Sequence, residues 1–95
     1  MFVVLLRFSA NKAAASEYMP GHQKWIRQGV EDGVFLLVGS IQPAQGGAVI
    51  ATAITREDLQ ARVAEDPFVV HDVVAAEVIE IAPNLTDPRL AFLED

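Results

Sequence analysis

Two polar side chains stand out against apolar surroundings. His22 lies in the stretch Met19-Pro20-Gly21-His22-Gln23-Lys24-Trp25-Ile26, and Asp66 in Glu65-Asp66-Pro67-Phe68-Val69-Val70-His71. An imidazole changes charge near neutral pH, so it can take up or release a proton under working conditions. A carboxylate hydrogen-bonded to one ring nitrogen sets the tautomer and stabilises the imidazolium. A His and an Asp that meet in space therefore form a proton-transfer pair. Each residue also has a structural reading. A lone His on an apolar helix face is often a buried ring satisfied by a carbonyl. An Asp before Pro is a common cap and turn former. On the residues alone, both readings of Asp66 stand.

The other candidates carry less. Ser40 closes an apolar run with a hydroxyl that can orient a ligand, but no Gly-x-Ser-x-Gly context surrounds it, so a hydrolase nucleophile is not indicated. Trp25 reads as a core or interface residue that could also line a pocket, and Phe68 offers a second aromatic wall. Arg7, with Lys24 behind it, is the cation that could meet an anionic substrate. His71 and Asp72 are adjacent, point at no common target by spacing, and read as surface or dimer-edge polarity. Gly46-Gly47 does not lead from a strand into a helix, so it is not a phosphate loop. The two histidines have no metal-ligand spacing, and the chain has no cysteine. No metal and no cofactor are expected, and thiolate chemistry is excluded.

Positioning these residues requires a compact fold. The chain has 95 residues, 52% hydrophobic and 21% charged, which is a globular composition. Residues 1–95 read as one domain, with 83–95 as a C-terminal tail. So much apolar surface on a small domain points to burial against a second copy. The net charge is −6, and the seven Lys and Arg form no cluster, so no nucleic-acid partner is expected. The opening run Met1–Leu6 is too short to span a membrane and lacks a secretory signal pattern; a cytoplasmic location and no membrane partner are expected.

The spacing predicts strand Phe2–Phe8, apolar on both alternating faces. Asn11 can cap a helix opening at Lys12, with a kink or restart at Pro20. From Pro20 to about Glu31 the helix is clear, with Met19, His22, Ile26, Gly29 and Val30 on one side and Gly33 ending it. Val34–Ser40 and Ala48–Ile54 read as a hairpin pair joined through Pro43 and Gly46-Gly47. Thr55 caps a second helix that carries Leu59 and Val63 inward and stops at Pro67. Val73–Ala82 reads as the last strand. Beyond it Leu85, Leu90, Phe92 and Leu93 form an apolar tail expected to pack on something. The order is βαββαβ: an α+β, ferredoxin-like arrangement with a four-stranded antiparallel sheet and two helices on one face. The other face is expected to be covered by sheet-to-sheet homodimerisation.

The ordered set Pro20-Gly21-His22-x-x-Trp25, Gly33-x-Phe35-Leu36-x-x-Gly39-Ser40, Pro43-x-x-Gly46-Gly47 and Asp66-Pro67-Phe68 resembles the YciI-like (YCII-related) family, from about residue 2 to about residue 83. The resemblance implies a dimeric α/β barrel built from ferredoxin-like domains. It also implies that His22 and Asp66 are the active-site pair. The wider superfamily includes muconolactone-isomerase-like enzymes and small monooxygenases, and the family includes a dehydrochlorinase of a chlorinated hydroxyquinol. The chain departs from many members after Asp-Pro-Phe, where Val69-Val70-His71-Asp72 replaces a small residue or glycine pair, so the mouth of the site need not match theirs.

The expectation is a small, cofactor-free, lyase- or isomerase-type enzyme. It would transfer a proton on a small aromatic-derived or lactone-like organic substrate, with His22 as acid or base, Asp66 orienting it and Ser40 binding the substrate. The alternative is a dimeric domain that binds a small metabolite in the same cleft without changing it.

Overall fold

The computed structural model describes residues 1–94. Four strands form one antiparallel sheet in the order β2-β3-β1-β4. They are β1 (Phe2–Phe8), β2 (Phe35–Ile41), β3 (Gly46–Ala51) and β4 (Val74–Glu80). Helix α1 (Ala15–Glu31) links β1 to β2. Helix α2 (Arg56–Ala64) and the short α3 (Pro67–Val70) link β3 to β4. With β3 between β1 and β2, this is the split βαβ arrangement of a ferredoxin-like fold.

Alternation along β1 divides the two faces. Phe2, Val4 and Leu6 are buried, while Val3 and Leu5 are only half-buried and Arg7 is exposed. The buried set packs with Trp25 of α1, Leu59 and Val63 of α2, and Phe68 of α3 in one core, so the helices lie on one face of the sheet. On the opposite face Leu37, Ile79 and half-buried Ile50 remain uncovered within one copy. Arg7 lies there too, paired with Glu77 at 2.8 Å.

The local signals at helix ends act as expected at two places. Thr55 caps α2, its hydroxyl accepting from the Asp58 N–H at 3.1 Å. Gly33, with φ +74°, ends α1 in a left-handed cap. There the Val34 N–H reaches the Gly29 carbonyl and the Gly33 N–H reaches Val30.

Other elements differ from the sequence reading. Asn11 forms no side-chain cap; its amide donates instead to the His71 carbonyl at 2.9 Å. A 3-10 turn, Lys12–Ala14, precedes α1. Pro20 does not break α1, because it and Ser16 face solvent and water can satisfy the carbonyl that Pro20 leaves unbonded. The inward stripe is Tyr18, His22, Trp25 and Gly29, rotated from the expected one; Met19 and Val30 are exposed. The large Trp25 ring sets this rotation by packing edge-on against Phe35 at 5.0 Å between centroids. Its Nε1 donates to the Arg62 carbonyl at 2.9 Å, which ties α1 to α2. Strand β3 begins at Gly46, earlier than expected, and ends at Ala51. Pro67 opens α3 as well as closing α2.

The tail runs through a 3-10 segment, Pro88–Glu94. Leu85 before it and Leu90 and Phe92 within it are exposed, while Leu93 is half-buried, so most of the expected packing is not found within one copy. Asp95, the last residue of that expectation, lies outside the described residues.

Strand β2 carries one irregularity that matters for the site. Phe35 pairs with Ala51 but Leu37 pairs with Ile50, so Leu36 is an extra residue. Such a bulge shifts the alternation by one. Phe35, Val38 and Ser40 consequently share the helix-side face, although a regular strand would put Phe35 opposite to Val38 and Ser40.

Candidate active site

A cavity of about 340 Å³ opens between α1 and the β1–β3 end of the sheet. Leu6, Phe8, Ile26, Val49, Phe68 and Val74 supply most of its walls, and His22, Gln23 and Ser40 supply polar side chains. Ser40 reaches it because of the bulge at Leu36, and His22 because it follows Tyr18 by one turn on the inward stripe of α1.

His22 and Asp66 are in direct contact. The Nδ1 of His22 and the Oδ1 of Asp66 are 2.8 Å apart. The carboxylate can only accept, so Nδ1 carries the proton and Nε2 keeps its lone pair in the neutral ring. Among the described residues Nε2 has no hydrogen-bond partner, and the His22 side chain is 13% exposed, opening onto the cavity. The imidazole also lies flat on Phe68, with centroids 3.9 Å apart and planes 3° apart. Trp25 flanks it at 6.0 Å.

Asp66 also caps α3, because its Oδ1 accepts the Phe68 N–H at 3.0 Å. The cap and the imidazole contact therefore use one oxygen. The other oxygen, Oδ2, is buried and has no hydrogen-bond partner among the described residues. Leaving such an acceptor unpaired costs about 1–3 kcal/mol. Among the described residues Asp66 is the one buried charged residue, a local exception to the packing logic of the core. The segment Asp66-Pro67-Phe68 thus fixes His22 by charge, by a hydrogen bond and by a stacked ring. Gly21 permits the approach: a Cβ there would lie 3.1 Å from Pro67 Cγ.

The remaining candidates divide. Phe68 and Ser40 line the cavity; Trp25 stands behind His22 and does not. Arg7 is on the opposite face of the sheet, bound to Glu77, because an odd position in β1 points away from the helices. His71 is exposed and stacks on Tyr18 at 3.9 Å, and Asp72 is an exposed turn residue with φ +57°. Leu6, Val49 and Gly47 line the cavity but were not among the expected site residues; the β1 alternation is the signal that could have pointed to Leu6. No group of three or more His, Cys, Asp and Glu suited to a metal ion occurs among the described residues. No helix there is long and apolar enough to cross a membrane.

The YCII-related domain profile matches residues 1–82. The chain belongs to the YCII-related family. The family match spans every strand and the His22–Asp66 contact, and it stops before the exposed tail. A solved structure of similar fold is that of a 5-chloro-2-hydroxyhydroquinone dehydrochlorinase from Burkholderia phenoliruptrix AC1100, in complex with 2,5-dihydroxybenzoquinone. The two share 14% sequence identity with a TM-score of 0.67, over 85% of this chain and 93% of that one. At that identity the likeness is one of fold. No curated protein matches the chain in sequence.

Proposed function

We propose that this YCII-related protein is a small-molecule enzyme of the lyase or isomerase type, acting by proton transfer at His22 Nε2. The observation that carries the reading is a histidine whose Nδ1 is held by a buried carboxylate while Nε2 faces an apolar cavity. In the neutral ring Nε2 is the base. It takes a proton from an acidic C–H or O–H of the substrate, and the imidazolium that forms is held by the Asp66 charge beside it. For an isomerisation the proton returns to a different atom of the same molecule. For an elimination the C–H electron pair becomes a π bond, the leaving group departs with its own pair, and His22 returns the proton to it. Either path restores the starting state without an oxidant or reductant. Ser40 is placed to hydrogen-bond a substrate oxygen, and Phe68 keeps the imidazole in plane. The dehydrochlorinase of similar fold, an eliminating enzyme, supports a lyase as the reaction type.

The working form is a homodimer joined through the open sheet face, where Leu37, Ile50 and Ile79 lie uncovered. Sheets of this kind pack face to face about 10 Å apart.

The test is proton exchange. A panel of phenols, enols and unsaturated lactones incubated in D2O would be followed by NMR for deuterium uptake or product. Wild-type protein should promote exchange or turnover of a subset of the panel, and His22→Gln should lower that rate by about 10²–10⁴-fold. Compounds that bind but emerge unchanged, with no His22-dependent exchange, would make the protein a metabolite-binding domain instead.

A further inference from the structure

Gly46 and Gly47 are adjacent, yet the fold makes different demands on them. Gly46 has φ +127°, and a Cβ there would fall 2.0 Å from the Leu6 carbonyl oxygen, so the backbone requires glycine. Gly47 is an ordinary residue of β3, and a Cβ there would meet only the Gly39 carbonyl oxygen, at 3.5 Å, a normal van der Waals separation. Nothing in the fold asks for glycine at Gly47, and glycine inside a strand weakens it.

The register shows what the missing side chain leaves. Gly47 pairs with Leu6 on one side and with Ser40 on the other. Directly paired residues project from the same face, so this row faces the helices, and all three of its members line the cavity beneath His22. The space a side chain would occupy at Gly47 is therefore floor space of the cavity. Glycine inside a strand often marks a bulge, a tight bend, or the close approach of another backbone or a ligand; Gly47 pairs regularly with Leu6 and Ser40 and has only an ordinary contact with the Gly39 carbonyl, which leaves the ligand.

The charges of the lining restrict the ligand further. Among the described residues no Lys or Arg lines the cavity, and the carboxylate of Asp66 lies directly behind His22. An anion entering would add a second negative charge to a low-dielectric site with no permanent cation to balance it. The size is set by comparison: an apolar cavity of about 150 Å³ holds benzene, so about 340 Å³ holds one substituted ring.

We infer that Gly47 is a specificity-determining residue whose bare backbone forms the platform for an uncharged, ring-sized ligand with an oxygen directed at Ser40 and His22. The inference rests on the cavity beside His22 being the ligand site, and it adds the platform residue and the charge class.

The test uses the full chain with phenol and benzoate as probes, read by NMR. Phenol should shift the Gly47 and Ser40 amides and the His22 ring, and benzoate should bind at least tenfold more weakly. Gly47→Ala should melt at or above the wild-type temperature. Gly47→Val should stay folded and lose at least tenfold in phenol affinity. A drop of several degrees for Gly47→Ala would make Gly47 a requirement of the fold and overturn the inference. So would wild-type phenol affinity in Gly47→Val, even with His22 still responding, and in that case the proton-transfer reading would survive. Benzoate binding as tightly as phenol, or phenol failing to bind at all, would overturn the ligand class. Shifts at Gly47 and Ser40 without any at the His22 ring would overturn the placement of the ligand oxygen at His22 and count against proton transfer.

Discussion

One oxygen of Asp66 does two jobs: it ends the chain's turn into α3 by accepting the Phe68 N–H, and it holds the His22 ring. Asn in place of Asp would separate the geometry from the charge. Asn is as good a cap as Asp, so Asp66→Asn should fold with little change in melting temperature. Its amide oxygen can still accept from Nδ1, but the negative charge that favours the imidazolium is gone. His22-dependent exchange should fall by about 10²–10⁴-fold, and the ring 15N shifts should report a mixed tautomer population in place of the Nδ1–H form. Unchanged ring shifts together with unchanged exchange would mean that Asp66 serves only as a cap.

Among the elements, α1 depends on a glycine for its fit to the sheet. A Cβ at Gly29 would lie 2.1 Å from Cδ2 of Phe35, the ring that meets Trp25 edge-on. Replacing a helical glycine by alanine ordinarily gains about 1 kcal/mol. Overpacking a core ordinarily loses about 1–3 kcal/mol, and a contact this short falls at the upper end. Gly29→Ala should therefore be less stable by about 1–2 kcal/mol in chemical denaturation, the balance of those two effects. A variant as stable as wild type would show that Phe35 can swing aside without loss. The same crossing is tied on its outer side by Arg62, whose guanidinium reaches Asp32 at 2.9 Å. Hydrogen bonds from Gln28 first and Arg62 second hold the Asp32 carboxyl below its usual range, so that link stays ionised through neutral and mildly acidic pH.

For the whole molecule, the apolar sheet face is the surface that the proposed dimer would cover. One face of the sheet is packed by helices and the other presents Leu37 and Ile79. If that face joins two copies, a charge on it would be desolvated without a partner. Leu37→Asp should convert a dimer to a monomer in light scattering while leaving the secondary structure intact, since Leu37 is already 54% exposed in a single copy. A wild-type chain that stays monomeric across the micromolar range would leave the face open and remove the dimer from the proposal.

What the sequence determined by itself was whatever depends on neighbours within a turn or two of chain. The apolar run Phe2–Phe8 marked a strand without saying which face turns inward, Thr55 marked a helix start and Gly33 a helix end, because capping and pleating are local geometry. The order of those elements was then enough for a ferredoxin-like sheet. The tertiary structure alone decided which side chains share a space. It rotated the inward stripe of α1 onto Trp25, because that ring fits against Phe35 from a different element. It inserted a bulge at Leu36 that turned Ser40 toward the helices, and it put the helices on the face away from Arg7, which pairs with Glu77. It also brought Nδ1 of His22 to 2.8 Å from Asp66, across 44 residues of chain. Spacing along a chain sets a side chain's direction within its own element, whereas a distance between elements is set by how their surfaces pack.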